Sequence, residues 1–217
     1  MAAPQSLDWN TAHANPEQRL KTFIDTTAGL AVLSAFAFAV AVAQPVAAAT
    51  ITISAERDGD AIDIRASAVL NSDAATAWRV LTDYNRYTEF IPDLRLSRVV
   101  ARDGSTVTVE QSGNAAIWLL RWPLDITFEI KEIPPSSLQS RAVAGSLRAL
   151  ISSYALTPAT PGIRLDYVGR VEPGFALFGN IEQTAVERNV ARQFQALADE
   201  IERQGATARS HSIAGVK

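Results

Sequence analysis

Between Leu124 and Lys131 the chain alternates without a break, with Leu124, Ile126, Phe128 and Ile130 on one parity and Asp125, Thr127, Glu129 and Lys131 on the other. A repeat of two is that of an extended chain, so this segment reads as a strand with one dry face and one wet face. A dry face needs an apolar partner. The same pattern occurs upstream, where Ile62, Ile64, Ala66 and Ala68 alternate with Asp63, Arg65 and Ser67. Leu94–Ala101 and Thr106–Gly113, separated by Arg102-Asp103-Gly104, read as a β-hairpin. Pro134-Pro135 turns the chain into Leu138–Val143, and Gly145 precedes a strand over Leu147–Leu156. Pro158–Gly162 is a further turn before the closing strand, Arg164–Val171.

Two helical signals complete the pattern. Asn71-Ser72-Asp73 is an N-cap cluster ahead of Ala77, Trp78, Val80, Leu81 and Tyr84 at helical spacing, and a short helix or turn from Tyr84 to Phe90 stops at Ile91-Pro92. Beyond Pro173-Gly174, the segment Phe178–Arg203 places Val186, Val190, Phe194, Leu197 and Ile201 on one stripe, with Gln183 on the same side. The order predicts an α+β fold: a curved antiparallel sheet of about six or seven strands wrapped on a long C-terminal helix, with one or two short helices after the first strand. A sheet that curves around its helix can keep an elongated pocket between them.

What the chain lacks narrows its chemistry. With no cysteine there are no disulfides, thiolate nucleophiles, cysteine zinc sites or iron–sulfur clusters. The two histidines, His13 and His211, lie near the ends, so the region between them must work without imidazole, which disfavours Ser-His-Asp hydrolysis and histidine general bases. A net charge of -3 with interspersed signs gives no basic footprint for nucleic acid. No Walker, Rossmann or Gly-x-Ser-x-Gly pattern occurs, and Asp58-Gly59-Asp60 and Asp103-Gly104-Ser105 read as turns rather than calcium loops.

The sequence divides into three parts. Residues 1–49 read as an N-terminal leader: Arg19 and Lys21 form a positive n-region, Ala28–Ala43 an apolar run, and Ala47-Ala48-Ala49 a small-residue cleavage site. The implied location is periplasmic or secreted, with membrane anchoring by the uncleaved segment as the alternative, although Asp8, Glu17 and Asp25 make the n-region unusual. Residues 50–204 form the expected domain. Residues 205–217, rich in Ala, Ser, Thr and Gly, are expected to be a disordered tail.

The run Trp78-Arg79-Val80-Leu81-Thr82-Asp83-Tyr84-Asn85-Arg86-Tyr87-Thr88-Glu89-Phe90-Ile91-Pro92 resembles the helix motif of the START-like, helix-grip superfamily, in its polyketide cyclase/dehydrase and coenzyme Q-binding branch. Pro134-Pro135, Tyr154-Ala155-Leu156-Thr157-Pro158 and the closing helix follow in the order that branch shows. The resemblance covers Ile62–Arg203 and implies a helix-grip fold, one that hosts lipid carriers, cyclases, hydrolases and partner-binding proteins. The motif seats a helix on the sheet and carries over no catalytic residue.

Candidate pocket residues follow from parity. Ile126 and Phe128 face inward, and the same parity carried back through Ile117–Leu124 turns Trp118 and Trp122 inward, as an aromatic wall or as core. Gln111, Tyr154 and Tyr167 bring polar atoms onto dry faces, with Leu150 beside Tyr154; each needs a partner, whether backbone, water or a ligand oxygen. From the helix, Gln183 brings a polar atom to the same space, with Val186 and Val190 as apolar lining. Phe175 and Phe178, between Gly174 and Gly179, read either as a gate or as a staple at the start of the helix. The function expected from these features is sequestration or transport of a hydrophobic small molecule or lipid, with no catalytic residue, metal or cofactor. The alternatives are an aromatase/cyclase-type enzyme and a protein-interaction module with a filled core.

Overall fold

The computed structural model describes residues 50–117, 120–173 and 181–214. The expected leader, Trp118 and the segment Phe175–Gly179 with Phe178 lie outside them, as does the side chain of Trp122. Eight strands are present: β1 (Ile51–Asp58), β2 (Ala61–Leu70), β3 (Leu94–Asp103), β4 (Thr106–Ile117), β5 (Leu120–Ile133), β6 (Ser137–Gly145), β7 (Ala149–Pro158) and β8 (Ile163–Glu172). Three helices, α1 (Ala74–Thr82), α2 (Tyr87–Phe90) and α3 (Ile181–Ala214), complete the fold, and a 3-10 turn over Tyr84–Arg86 joins the first two.

All eight strands form one antiparallel sheet in the order β1-β2-β8-β7-β6-β5-β4-β3. After β2 the helical segment carries the chain to the far edge, and the meander from β3 returns strand by strand until β8 pairs with β2. The alternation expected from sequence is seen directly. Ile62, Ile64, Ala66 and Ala68 of β2, Val107 and Val109 of β4, and Leu165 and Tyr167 of β8 are all buried on one face. That face also receives Val80 and Leu81 of α1 and Phe194, Leu197, Ala198 and Ile201 of α3.

The sheet has one strand more than the sequence predicts. β1 alternates Ile51, Ile53 and Ala55 with Thr52, Ser54 and Glu56, and pairs with β2 from Ile51↔Ala68 to Asp58↔Ala61. Its short apolar parity adjoins the alanine-rich leader, which hides it. Curvature comes from breaks in register. Thr127 pairs with Ala144 but Phe128 with Ala142, so Val143 is an extra residue in β6. Such a bulge bends its strand and raises its twist. Gly145 ends that strand at φ +123, where a Cβ would collide with the Asp125 backbone, so the position requires glycine.

The helix boundaries have identifiable causes. Asp73 caps α1 by accepting from the Thr76 backbone N–H at 2.8 Å. Asp93, at φ +63, turns the chain from α2 into β3 and its carbonyl accepts from the Asn114 N–H at 3.0 Å. The expectation of a disordered tail from residue 205 is corrected, since α3 continues to Ala214. The extra turns are tied to the β2–α1 loop. Glu202 Oε1 accepts from the Asn71 N–H at 3.1 Å, Gly205 packs on Ser72, and Arg209 Nη1 donates to the Asn71 carbonyl at 2.6 Å. No described helix is long and apolar enough to cross a membrane.

Candidate functional site

Between the concave sheet face and the helices lies a cavity of about 270 Å³. This is near the lower end of the range for small-molecule pockets. Its floor is built by inward residues of successive strands: Ile126, Phe128 and Ile130 of β5, Leu138 and Ser140 of β6, and Leu150, Ser152 and Tyr154 of β7. Ile64 of β2 and Tyr167 and Val171 of β8 extend it. Val186, Val190 and Leu197 of α3 form the opposite wall, with Ala185, Asn189 and Gln193 beside them. The helical crossover adds Tyr84, Tyr87 and Ile91. Thus the period-two parity of the strands and the stripe of α3 converge on one space.

Eight of the thirteen residues singled out by sequence line this cavity: Gln111, Ile126, Phe128, Leu150, Tyr154, Tyr167, Val186 and Val190. Gln183 instead donates its amide to the Ala55 carbonyl of edge strand β1 at 2.7 Å. Trp118, Phe175 and Phe178 lie outside the described residues. For Trp122 the backbone alone is placed, paired with Ala115 in the β4–β5 ladder. Gln111 meets a partner inside the protein, its Nε2 donating to Ser97 Oγ at 3.2 Å.

The cavity is apolar but not featureless. Ser140 and Ser152 face each other across β6 and β7 with their hydroxyl oxygens 2.7 Å apart. In the next inward row, the Tyr154 and Tyr167 rings lie tilted at 48° with centroids 4.9 Å apart. The Tyr167 ring folds back over Gly169, a position where a Cβ would collide with its hydroxyl. Burial pushes the Tyr167 phenol above its ordinary pKa, while the Ser152 hydroxyl, bonding to the phenol oxygen, pulls it down. Tyr154 is raised further, first by burial and then by its Tyr167 and Tyr87 neighbours. Both phenols are therefore neutral hydrogen-bonding groups at physiological pH.

Sequence reasoning missed Ser140 and Ser152. Their signal was a polar residue on the inward parity, Ser140 after Leu138 and Ser152 between Leu150 and Tyr154, but serine is common on strands and carries no apolar mark. It also missed the tyrosines of the crossover as lining residues. Tyr84 donates to Glu132 Oε1 at 3.1 Å and Tyr87 to the Leu81 carbonyl at 2.6 Å, and burial raises both phenols. The two rings meet edge to face at 5.8 Å.

Charge is nearly excluded. Asp93 is the one charged residue among the described residues that line the cavity, and Arg192 of α3 pairs with its Oδ2 at 2.9 Å. Among the described residues no group of three or more His, Cys, Asp or Glu is placed to hold a metal ion. The arrangement offers an apolar surface, a few neutral hydroxyls and amides, and no lined-up nucleophile and base.

A search of the curated proteins returns no match. Among solved structures, the chain is similar to a STAR-related lipid transfer protein from Xanthomonas axonopodis (16% identity, TM-score 0.58, 70% of this chain and 93% of that one). It is also similar to the Zhui aromatase/cyclase from Streptomyces (12% identity, TM-score 0.54, 71% and 96%). A human lipid transfer and protein localization domain is similar at 17% identity and TM-score 0.54, over 70% and 84% of the two chains. Those likenesses establish a shared fold. Residues 61–204, spanning β2 to α3, match the family described as polyketide cyclase/dehydrase and lipid transport, and the chain belongs to that family.

Proposed function

We propose that this protein binds a hydrophobic small molecule or lipid in the cavity under α3 and holds it away from water. The observation that carries this reading is the cavity itself, whose walls combine an apolar sheet face and the α3 stripe with one charge among the described lining residues, already paired. Removing apolar ligand surface from water contributes about 25 cal/mol per Å² and needs no covalent chemistry. The family and its solved relatives fit either hydrophobic ligand binding or polyketide cyclisation. Burial keeps the Tyr154 and Tyr167 phenols of the lining neutral, so they are hydrogen-bonding groups open to a guest.

Native mass spectrometry of the protein from its own host, followed by organic extraction, tests the proposal. An apolar molecule recovered unchanged supports it. An empty protein that also takes up no fluorescent lipid overturns it. Conversion of a poly-β-ketone mimic to an aromatic ring with loss of water would instead establish the cyclase alternative. We also propose export through the leader, for which the mature N-terminus of the host protein is the test: Thr50 supports cleavage after Ala49, and an intact Met1 refutes it.

A further inference from the structure

We propose that the cavity floor carries a built-in anchor for one uncharged oxygen, formed by the hydroxyls of Tyr154, Ser152 and Ser140, so that the ligand is a neutral amphiphile with a hydroxyl or carbonyl head rather than an anion. This rests on the binding reading above and specifies its ligand class.

Three observations converge. Tyr154 lines the cavity, and burial keeps its phenol protonated, so it presents an O–H donor there. A hydroxyl donor set in an apolar wall favours a guest that brings an acceptor to it, since nearly every buried polar group is hydrogen-bonded. Ser140 and Ser152 share one hydrogen bond at 2.7 Å and Ser152 also bonds the Tyr167 phenol oxygen, so the pair keeps acceptor lone pairs, not a free proton, for a further group. Both serines line the same cavity, directly beside the inward row that holds Tyr154 and Tyr167. Together they make a polar spot in an otherwise dry floor.

The charge of the lining then decides the head group. A carboxylate or phosphate taken into this space would lose its hydration and find no cation among the described lining residues, since Arg192 outside the wall already pairs with Asp93. Asp93 itself would repel it. A neutral oxygen pays a far smaller desolvation cost and accepts from Tyr154, and a hydroxyl head also donates to a lone pair of the serine pair.

Competition against the uncharged dye N-phenyl-1-naphthylamine tests the anchor on the full-length protein. The dye has no oxygen, so its fluorescence reports cavity occupancy alone. Dodecan-1-ol and dodecanoate at pH 8 share a chain and differ in head group. The alcohol is expected to compete at least tenfold better than the carboxylate. Tyr154→Phe combined with Ser152→Ala should weaken the alcohol about tenfold relative to the dye's own affinity for the same variant. Ser152→Ala alone, a smaller change, should weaken it severalfold and serves if the double variant does not fold. Dye binding with equal competition by both heads, or variants that leave the alcohol unchanged, overturns the anchor while the binding reading stands. Absence of dye binding together with an empty extract overturns both.

Discussion

Asp73 accepts two bonds from Thr76, one from the backbone N–H and one from Oγ1, each 2.8 Å long. The backbone donor is the chief reason its pKa lies below the ordinary 3.8. An unfolded chain then takes up the proton more readily than the folded one, so this contribution is present at neutral pH and fades as pH falls below about 3.8. Asp73→Ala should cost about 1 kcal/mol at pH 7, and the gap from the parent should shrink in urea titrations carried out progressively below pH 4. Phe194, 1% exposed where α3 meets the sheet, is a different case. Its truncation to alanine should cost about 3–5 kcal/mol, read from the same denaturation curves, because the surrounding strands cannot collapse into the void. Both positions were readable in advance, one as a cap ahead of an apolar run and the other as part of a stripe. Gln183 was not: it sits on the stripe side, yet the edge strand needs a donor for the Ala55 carbonyl and takes its amide. Spacing places a side chain on a face but does not say which acceptor reaches it first.

At the scale of elements, α3 is held unevenly. From residue 183 to residue 193 no residue is fully buried, whereas Phe194, Leu197, Ala198, Glu200, Ile201 and Glu202 all are. Opening free energies follow such contacts, so amide exchange should be faster over residues 185–193 than over 194–204 in the unliganded protein. Uniform protection along the helix would refute this. The last turns behave as helix too: amides around residues 205–209 should show protection, and Arg209→Ala should reduce it locally with a cost of about 1 kcal/mol or less, since the bond to Asn71 is exposed. Composition misled at this end because the contacts that order it come from Asn71 and Ser72, more than 130 residues away in the chain. β1 was hidden for a related reason, as its pattern of three small apolar positions follows a longer apolar run of another kind. Of the other strands, β2 and β5 were legible because they alternate against charged or hydroxyl residues on the wet face, and the rest mainly from the turns that bound them.

The described domain is a sheet bent by bulges and closed by helices, and this scale was legible mainly through the order of elements. The inward parity located most of the cavity wall but not its volume, nor the serine pair, since both depend on how far the bulged strands curve away from α3. A ligand that enters the folded state alone should raise its stability by about 2.7 kcal/mol at a hundredfold excess over Kd, seen as a higher Tm for the dye complex. An unshifted Tm at saturating dye would mean binding elsewhere or to the unfolded chain. The uneven seating of α3 has a further consequence, for kinetics. Under the proposed binding reading, the cavity floor belongs to β5–β8, whereas its opposite wall is the loosely seated half of one helix, pinned at Asp93 by Arg192. Substitutions on the solvent side of α3 are therefore expected to change how quickly the dye exchanges, read by stopped-flow fluorescence, while leaving its equilibrium affinity nearly constant.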